Sequence, residues 1–187
     1  MSNLDRIIEG CVRGDAAMQS ELYKLYSPLF YPVCRRYSAN DAMAQDILVD
    51  GFLTVFQKIG SFRGDGSFEG WMRRIFLRTA LKRYSKEKHF HDVVSVDDEI
   101  ADYTEAEHGD VDVAIDVRNA LLDCLRRLSP YEQLIFNMIA VEEYELAHVA
   151  KLLKLNESTV KSQYYKAKRT MQNLMQKRIG KDYLKKK

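Results

Sequence analysis

Apolar residues recur at intervals of three and four through most of the chain, and no stretch sustains the alternation expected of a half-buried β-strand. The pattern predicts a first helix from about Leu4 to Val12, ending near Gly14. A second runs through ELYKLYSPLFYPVCRRY, with Leu22, Leu25, Tyr26, Leu29 and Val33 as its apolar face. Pro28 and Pro32 are expected to bend or interrupt it. Asn40 and Asp41 offer a cap for a third helix reaching about Ile59, with Ile47, Leu48, Leu53, Val55 and Phe56 available for packing. The glycine-rich GSFRGDGSF reads as a loop, and Ser67 as the cap of a fourth helix, FEGWMRRIFLRTALKRYSKEK, whose polar side is almost entirely Arg and Lys.

Periodicity fades over HDVVSVDDEIADYTEAEHGDVDV, which has the composition of a linker. Beyond it, Ser129-Pro130-Tyr131-Glu132 combines a Ser cap, Pro at the first helical position and Glu three residues past the cap. Two further helices follow, EYELAHVAKLL and NESTVKSQYYKAKRTMQNLMQ, joined at Lys154-Leu155. Leu146, Val149, Ala150 and Leu153 form one core-facing stripe, and Val160, Tyr164, Ala167, Met171 and Leu174 another. Opposite the second stripe stand Ser158, Ser162, Tyr165 and Arg169, flanked by Lys161 and Lys166. Asn156 is placed to cap this helix. Short hydroxyls near a helix N-terminus can approach base edges while Lys and Arg reach phosphates, so the pair fits a helix-turn-helix. An ordinary amphipathic pair with a solvated basic face fits the same residues.

Charge sharpens the picture. The net charge of +2 conceals four blocks: residues 1–62 carry 6 basic and 7 acidic side chains, 63–91 carry 8 and 3, 92–117 carry none and 10, and 118–187 carry 15 and 7. Two basic blocks across an acidic stretch suggest two polyanion-binding modules on a negative linker, against the plainer reading of solvated surface. The N-terminus MSNLDRIIEG lacks a signal pattern, and no apolar run approaches the roughly 18 residues a membrane span needs. A cytoplasmic protein without membrane insertion is expected. Cys11, Cys34 and Cys124 are scattered and form no CxxC, which points to buried free thiols. His89 and His91 in HFHD form a possible metal pair with no further ligands clustered nearby, so neither metal nor cofactor is expected.

Taken together, these segments resemble the extracytoplasmic-function (ECF) group of bacterial RNA polymerase sigma factors. One anchor is DAMAQDILVDGFLTVFQKIGSFRGDGSFEGWMRRI, residues 41–75, similar to the family's region 2 pattern. The other is LSPYEQLIF followed by VAKLLKLNESTVKSQYYKAKR, similar to region 4, in which Thr-Val-Lys-Ser opens the recognition helix. The resemblance implies an all-α fold of two small helical domains: region 2 over residues 1–91, an acidic linker over 92–117 and region 4 over 118–187. It implies a non-enzymatic factor whose partners are core RNA polymerase (the β′ clamp helices and the β-flap), promoter DNA and, as is common in the family, an anti-sigma factor. Polymerase contacts are expected at Asp46, Val49, Asp50 and Phe52, with core packing an equal reading for Phe52. Minus-10 single-strand contacts are expected at Phe62, Arg63, Phe68, Arg73, Arg74, Arg78, Lys82 and Arg83. Trp71 is read as a buried anchor before a base-stacking platform. Minus-35 duplex contacts are expected at Glu157, Ser158, Thr159, Lys161, Ser162, Tyr165, Lys166 and Arg169.

The chain departs from the family pattern at three places. Arg78 stands where many relatives carry Asn. Glu143-Tyr144-Glu145 replaces Gly-hydrophobic-Ser ahead of the first helix of the pair. Lys154 replaces the glycine of the turn, which implies either a blunter turn or a left-handed lysine at about 1 kcal/mol. The linker's acids fit a nucleic-acid mimic in the polymerase's RNA path, or a plain tether. A rival reading is a one-component helix-turn-helix regulator with an N-terminal sensor.

Overall fold

The computed structural model describes residues 2–87 and 115–179, and among them every regular element is helical. Most of the acidic stretch 92–117, the His89/His91 pair and the tail beyond Ile179 lie outside the described residues. The chain divides into two units, Met1–His89 and Phe90–Lys187.

The first unit holds α1 (Asn3–Val12), α2 (Ala16–Arg36), α3 (Asp41–Lys58), a single 3-10 turn (Ile59–Ser61) and α4 (Phe68–Glu87). Each start is chemically marked. Ser2 and Asp5 close a capping box on α1, Asp15 accepts the amides of Ala17 and Met18, and Asn40 accepts that of Met43. Ser67 accepts the Gly70 amide at 3.0 Å. Asp15 begins α2 well before the ELYKLY stretch. The helix runs unbroken through Pro28 and Pro32, contrary to the interruption expected. Both prolines are exposed, as is Lys24, and the missing proline amides leave the carbonyls of Lys24 and Pro28 without their helical donors.

The buried side of α2 is Leu22, Phe30, Val33 and Cys34, while Leu25 and Leu29 stand about half exposed at 51% and 52%. The expected face was therefore rotated toward solvent, because Phe30 and not Leu29 meets the core. Phe30 stacks on Phe76 of α4 with centroids 4.4 Å apart, and Phe52 of α3 meets Phe76 edge-on at 5.2 Å. Leu53, expected to pack, is likewise exposed on the outer side of α3.

The second unit holds α5 (Ile115–Leu125), α6 (Pro130–Phe136), a π-helical turn (Asn137–Val141), α7 (Leu146–Leu152) and α8 (Glu157–Ile179). Ser129 and Glu132 form the expected capping box, with Pro130 at the first helical position. Cys124, Leu125 and Leu128 pack against Ala167 and Met171 of α8, with Phe136, Leu174 and Met175 at the margin. Val160 is fully buried as well, so the inward stripe of α8 falls where its periodicity placed it. The three cysteines are free and buried, and burial pushes the Cys34 thiol to about 12, which leaves it inert as a nucleophile.

Candidate nucleic-acid interface

The helix-turn-helix pair is α7 and α8. Helix α7 is shorter than EYELAHVAKLL suggested. Glu143 adopts a left-handed φ of 58°, the Tyr144 amide reaches back to the Met138 carbonyl, and Tyr144 is buried with its ring stacked on His148. This turn uses the first three residues of the stretch, so the helix proper begins at Leu146. At the other end the Lys154 amide bonds the Lys151 carbonyl at 3.2 Å and the Leu155 amide bonds that of Ala150 at 2.9 Å. That is the Schellman pattern, with Lys154 at its left-handed position and φ of 50°. The turn keeps its sharpness at the expense of a strained lysine.

Asn156 occupies the position before α8, and its carbonyl accepts the amides of Thr159 and Val160. All eight residues expected to face the minus-35 duplex are exposed: Glu157, Ser158, Thr159, Lys161, Ser162, Tyr165, Lys166 and Arg169. Tyr165 is 57% exposed, a large apolar ring held out from the helix. The Ser162 hydroxyl donates to the Thr159 carbonyl at 3.0 Å, which leaves its lone pairs as acceptors. Lys166 differs from its neighbours, since its ammonium lies 3.0 Å from the Glu132 carboxylate of α6. Burial pushes the Glu132 carboxyl up, but the adjacent Lys166 ammonium and the hydrogen bonding with Ser129 outweigh it and hold the group below its ordinary value. A capping box can be read from sequence; this cross-helix partner cannot, because nothing local links positions 132 and 166.

In the first unit the loop before α4 gathers three rings. Phe68 stacks on Trp71 with centroids 5.5 Å apart, and Phe62 meets them edge-on at 5.1 Å and tilted at 5.7 Å. Phe68 is only 4% exposed and also contacts Tyr26, so it is a floor under the cluster and not a free stacking surface. This corrects the expectation of a direct base contact at Phe68. Phe62 and Trp71 are half-buried and Arg63 is exposed. Along α4, Arg73, Arg74, Arg78 and Arg83 are half-buried and Lys82 is exposed; Arg74 and Arg78 lie on the side opposite Phe76.

The outer side of α3 presents Asp46, Val49 and Asp50 to solvent, whereas Phe52 is 2% exposed and wedged among Tyr23, Phe56 and Phe76. Phe52 therefore supports this face from within and cannot touch a partner as expected of a contact residue. Arg83 bridges the two carboxylates, 2.6 Å from Asp46 and 3.0 Å from Asp50. Residues expected to serve two different partners are thus ion-paired with each other. Between α3 and α4 runs a groove of about 480 Å³, lined by Asp50, Leu53, Thr54, Gln57, Thr79 and Lys82 together with Arg83. Among the described residues no group of His, Cys, Asp and Glu has the arrangement of a metal site, and no helix is long and apolar enough to cross a membrane.

Comparison with known proteins agrees with this layout. The family model for Sigma-70 region 2 matches residues 22–90, and that for Sigma-70 region 4 matches residues 118–171. The chain is 28% identical over 172 residues to the ECF RNA polymerase sigma factor BldN of Streptomyces coelicolor, a match covering 90% of this chain and 64% of that protein. It is 28% identical over 166 residues to the ECF RNA polymerase sigma factor SigM of Mycobacterium tuberculosis, covering 88% and 80%. Among solved structures, the sigma factor RpoE of Bartonella quintana, crystallised with the anti-sigma factor NepR, aligns with a TM-score of 0.47 at 17% identity, covering 84% of this chain and 96% of that one. With both regions matched in order along the sequence, the chain belongs to the ECF group of the sigma-70 family of RNA polymerase sigma factors.

Proposed function

We propose that this protein binds core RNA polymerase and directs it to promoters, with its region 4 segment (residues 118–187) reading the minus-35 duplex and its region 2 segment (residues 1–91) holding the minus-10 element as a single strand. The observation that carries this reading is the division of α8 into a buried apolar stripe and an outward face of hydroxyls, an aromatic ring and cations, within a segment matching Sigma-70 region 4. Such a face supplies base-edge contacts along its middle and phosphate contacts at its flanks.

Melting DNA costs roughly 1.4 kcal/mol per base-pair step, and base–aromatic stacking returns about 1–3 kcal/mol per base. Phe62 and Trp71, resting on Phe68, supply partly open rings at the head of a helix that carries Arg73, Arg74, Arg78 and Lys82. That combination suits an extruded base followed by strand phosphates. Val49 and Leu53, with Asp46 and Asp50, supply the mixed apolar and acidic stripe for the polymerase's β′ clamp helices, and the second unit docks on the β-flap. The factor performs no catalysis itself and acts in the cytoplasm. An anti-sigma protein is the regulator the family leads one to seek.

Reconstitution tests the proposal: core polymerase with this protein should form a holoenzyme and transcribe from a defined start site. If no complex forms and no promoter is used, the assignment fails. A one-component regulator would instead bind duplex DNA without polymerase and show no polymerase-dependent strand opening.

A further inference from the structure

The carboxylate that closes the α6 capping box has a partner its local role does not require. Glu132 Oε2 accepts the Ser129 amide at 2.9 Å, while Ser129 Oγ accepts the Glu132 amide at 3.4 Å. The second oxygen, Oε1, lies 3.0 Å from Lys166 Nζ. The Glu132 side chain is 7% exposed and that of Lys166 69% exposed, so the contact joins a nearly buried anion to a surface cation. A buried carboxylate keeps its charge when it is paired and hydrogen-bonded, and here the Ser129 amide holds one of its oxygens and the Lys166 ammonium the other.

The consequence lies on the reading face. Lys161 and Arg169 are exposed on α8 and have no acidic partner among the described residues, so each brings a full positive charge to a phosphate. Lys166 and Glu132 together are neutral. Counterion release counts cations that neutralise phosphates, and a lysine already neutralised inside the protein adds little to it. We infer that Glu132 is a positioning residue for the recognition helix, holding Lys166 against α6 so that this lysine fixes the seating of α8 instead of neutralising a DNA phosphate. The inference rests on the proposed role of α8 as the duplex reader, and it replaces direct phosphate contact as the role of Lys166.

The test is titration of the full chain with a short fluorescent duplex of arbitrary sequence across roughly 50–200 mM salt, where each phosphate contact adds about 0.9 to the slope of log affinity against log salt. Lys161→Gln should reduce the slope by about 0.9. Lys166→Gln, which keeps a donor for Oε1, should reduce it by less than half as much. Glu132→Gln retains a capping-box side chain but frees the ammonium, so the slope should steepen by about 0.9. Adding Lys166→Gln to that variant should remove the gain, a dependence that a merely structural role would not produce. A full loss of about 0.9 in Lys166→Gln alone, or an unchanged slope in Glu132→Gln, overturns the inference. Failure of the parent to bind duplex, or an unchanged slope in Lys161→Gln, instead removes the reading of α8 on which it stands.

Discussion

Lys154 and Gly14 occupy the same position in two copies of one motif. After α1, the Gly14 amide bonds the Cys11 carbonyl and the Asp15 amide bonds that of Gly10, with Gly14 at φ 78°. After α7 the same two bonds form around Lys154 at φ 50°. Glycine adopts this conformation without a Cβ penalty, whereas a lysine carries about 1 kcal/mol of strain. Lys154→Gly should therefore stabilise the second unit by about 1 kcal/mol, a rise of roughly 4–8 °C in its melting temperature. An unchanged or lower midpoint would mean that the Lys154 side chain contributes contacts worth as much as its strain. This position was legible in the sequence because a turn in a helix-turn-helix asks for glycine at one place. Glu132 was only half legible, as a cap. Its folded carboxyl lies below the ordinary value of 4.5, so its stabilising contribution is complete above that value and is lost as pH falls through the lowered folded one. Thermal midpoints followed downward from pH ~6 should therefore fall more steeply for the parent than for Glu132→Gln, and parallel curves would contradict the pairing.

At the scale of elements, helix starts were the most readable feature, since capping is local chemistry between a side chain and amides two or three residues away. Asn40, Ser67 and Ser129 all cap the helices assigned to them. What the sequence did not show depends on neighbours: which side of α2 faces inward, the π-helical turn after α6, and the late start of α7. Leu25 and Leu29 satisfy helical spacing as well as Phe30 does, and only the position of Phe76 selects among them. Gly51 shows the same dependence. A Cβ there would lie 2.3 Å from Phe76 Cε1, so α3 and α4 approach as they do because residue 51 has no side chain. Helix propensity alone favours Gly51→Ala by about 1 kcal/mol, whereas overpacking a filled core costs about 1–3 kcal/mol. With Phe76 already stacked on Phe30 and edge-on to Phe52, the ring has little room to withdraw. Gly51→Ala should lower the melting temperature of the first unit, and adding Phe76→Leu should recover part of the loss. A single variant more stable than the parent would show that propensity prevails.

At the scale of the whole chain, the organisation was readable because charge is additive along a sequence: basic residues collect over 63–91 and 118–187 and acidic ones over 92–117. Net block charge does not reveal which cations are already engaged, and this matters for the proposed division of labour. Arg83 lies on the basic helix yet its guanidinium is held by Asp46 and Asp50, which are one helical turn apart on α3. Those carboxylates repel one another at that spacing, and Arg83 relieves the repulsion. Loss of Arg83 should therefore act mainly on the outer side of α3, the side proposed to meet the polymerase, since its charge is already committed there. Arg74 and Arg78 have no acidic partner among the described residues, and a charge-assisted contact to a phosphate is worth about 1.5–3 kcal/mol. In holoenzyme binding to a forked duplex with a single-stranded minus-10 segment, Arg74→Ala or Arg78→Ala should weaken binding roughly tenfold or more. Arg83→Ala, compared at saturating core polymerase, should cost less than roughly threefold, because exposed ion pairs contribute only about 0.2–1 kcal/mol each. The same variant should alter the salt dependence of core-polymerase binding, where two unpaired carboxylates now face the partner. Equal losses for Arg74, Arg78 and Arg83 on the forked duplex would place Arg83 on the DNA strand, and the bridge to α3 would then have to open whenever the promoter is held.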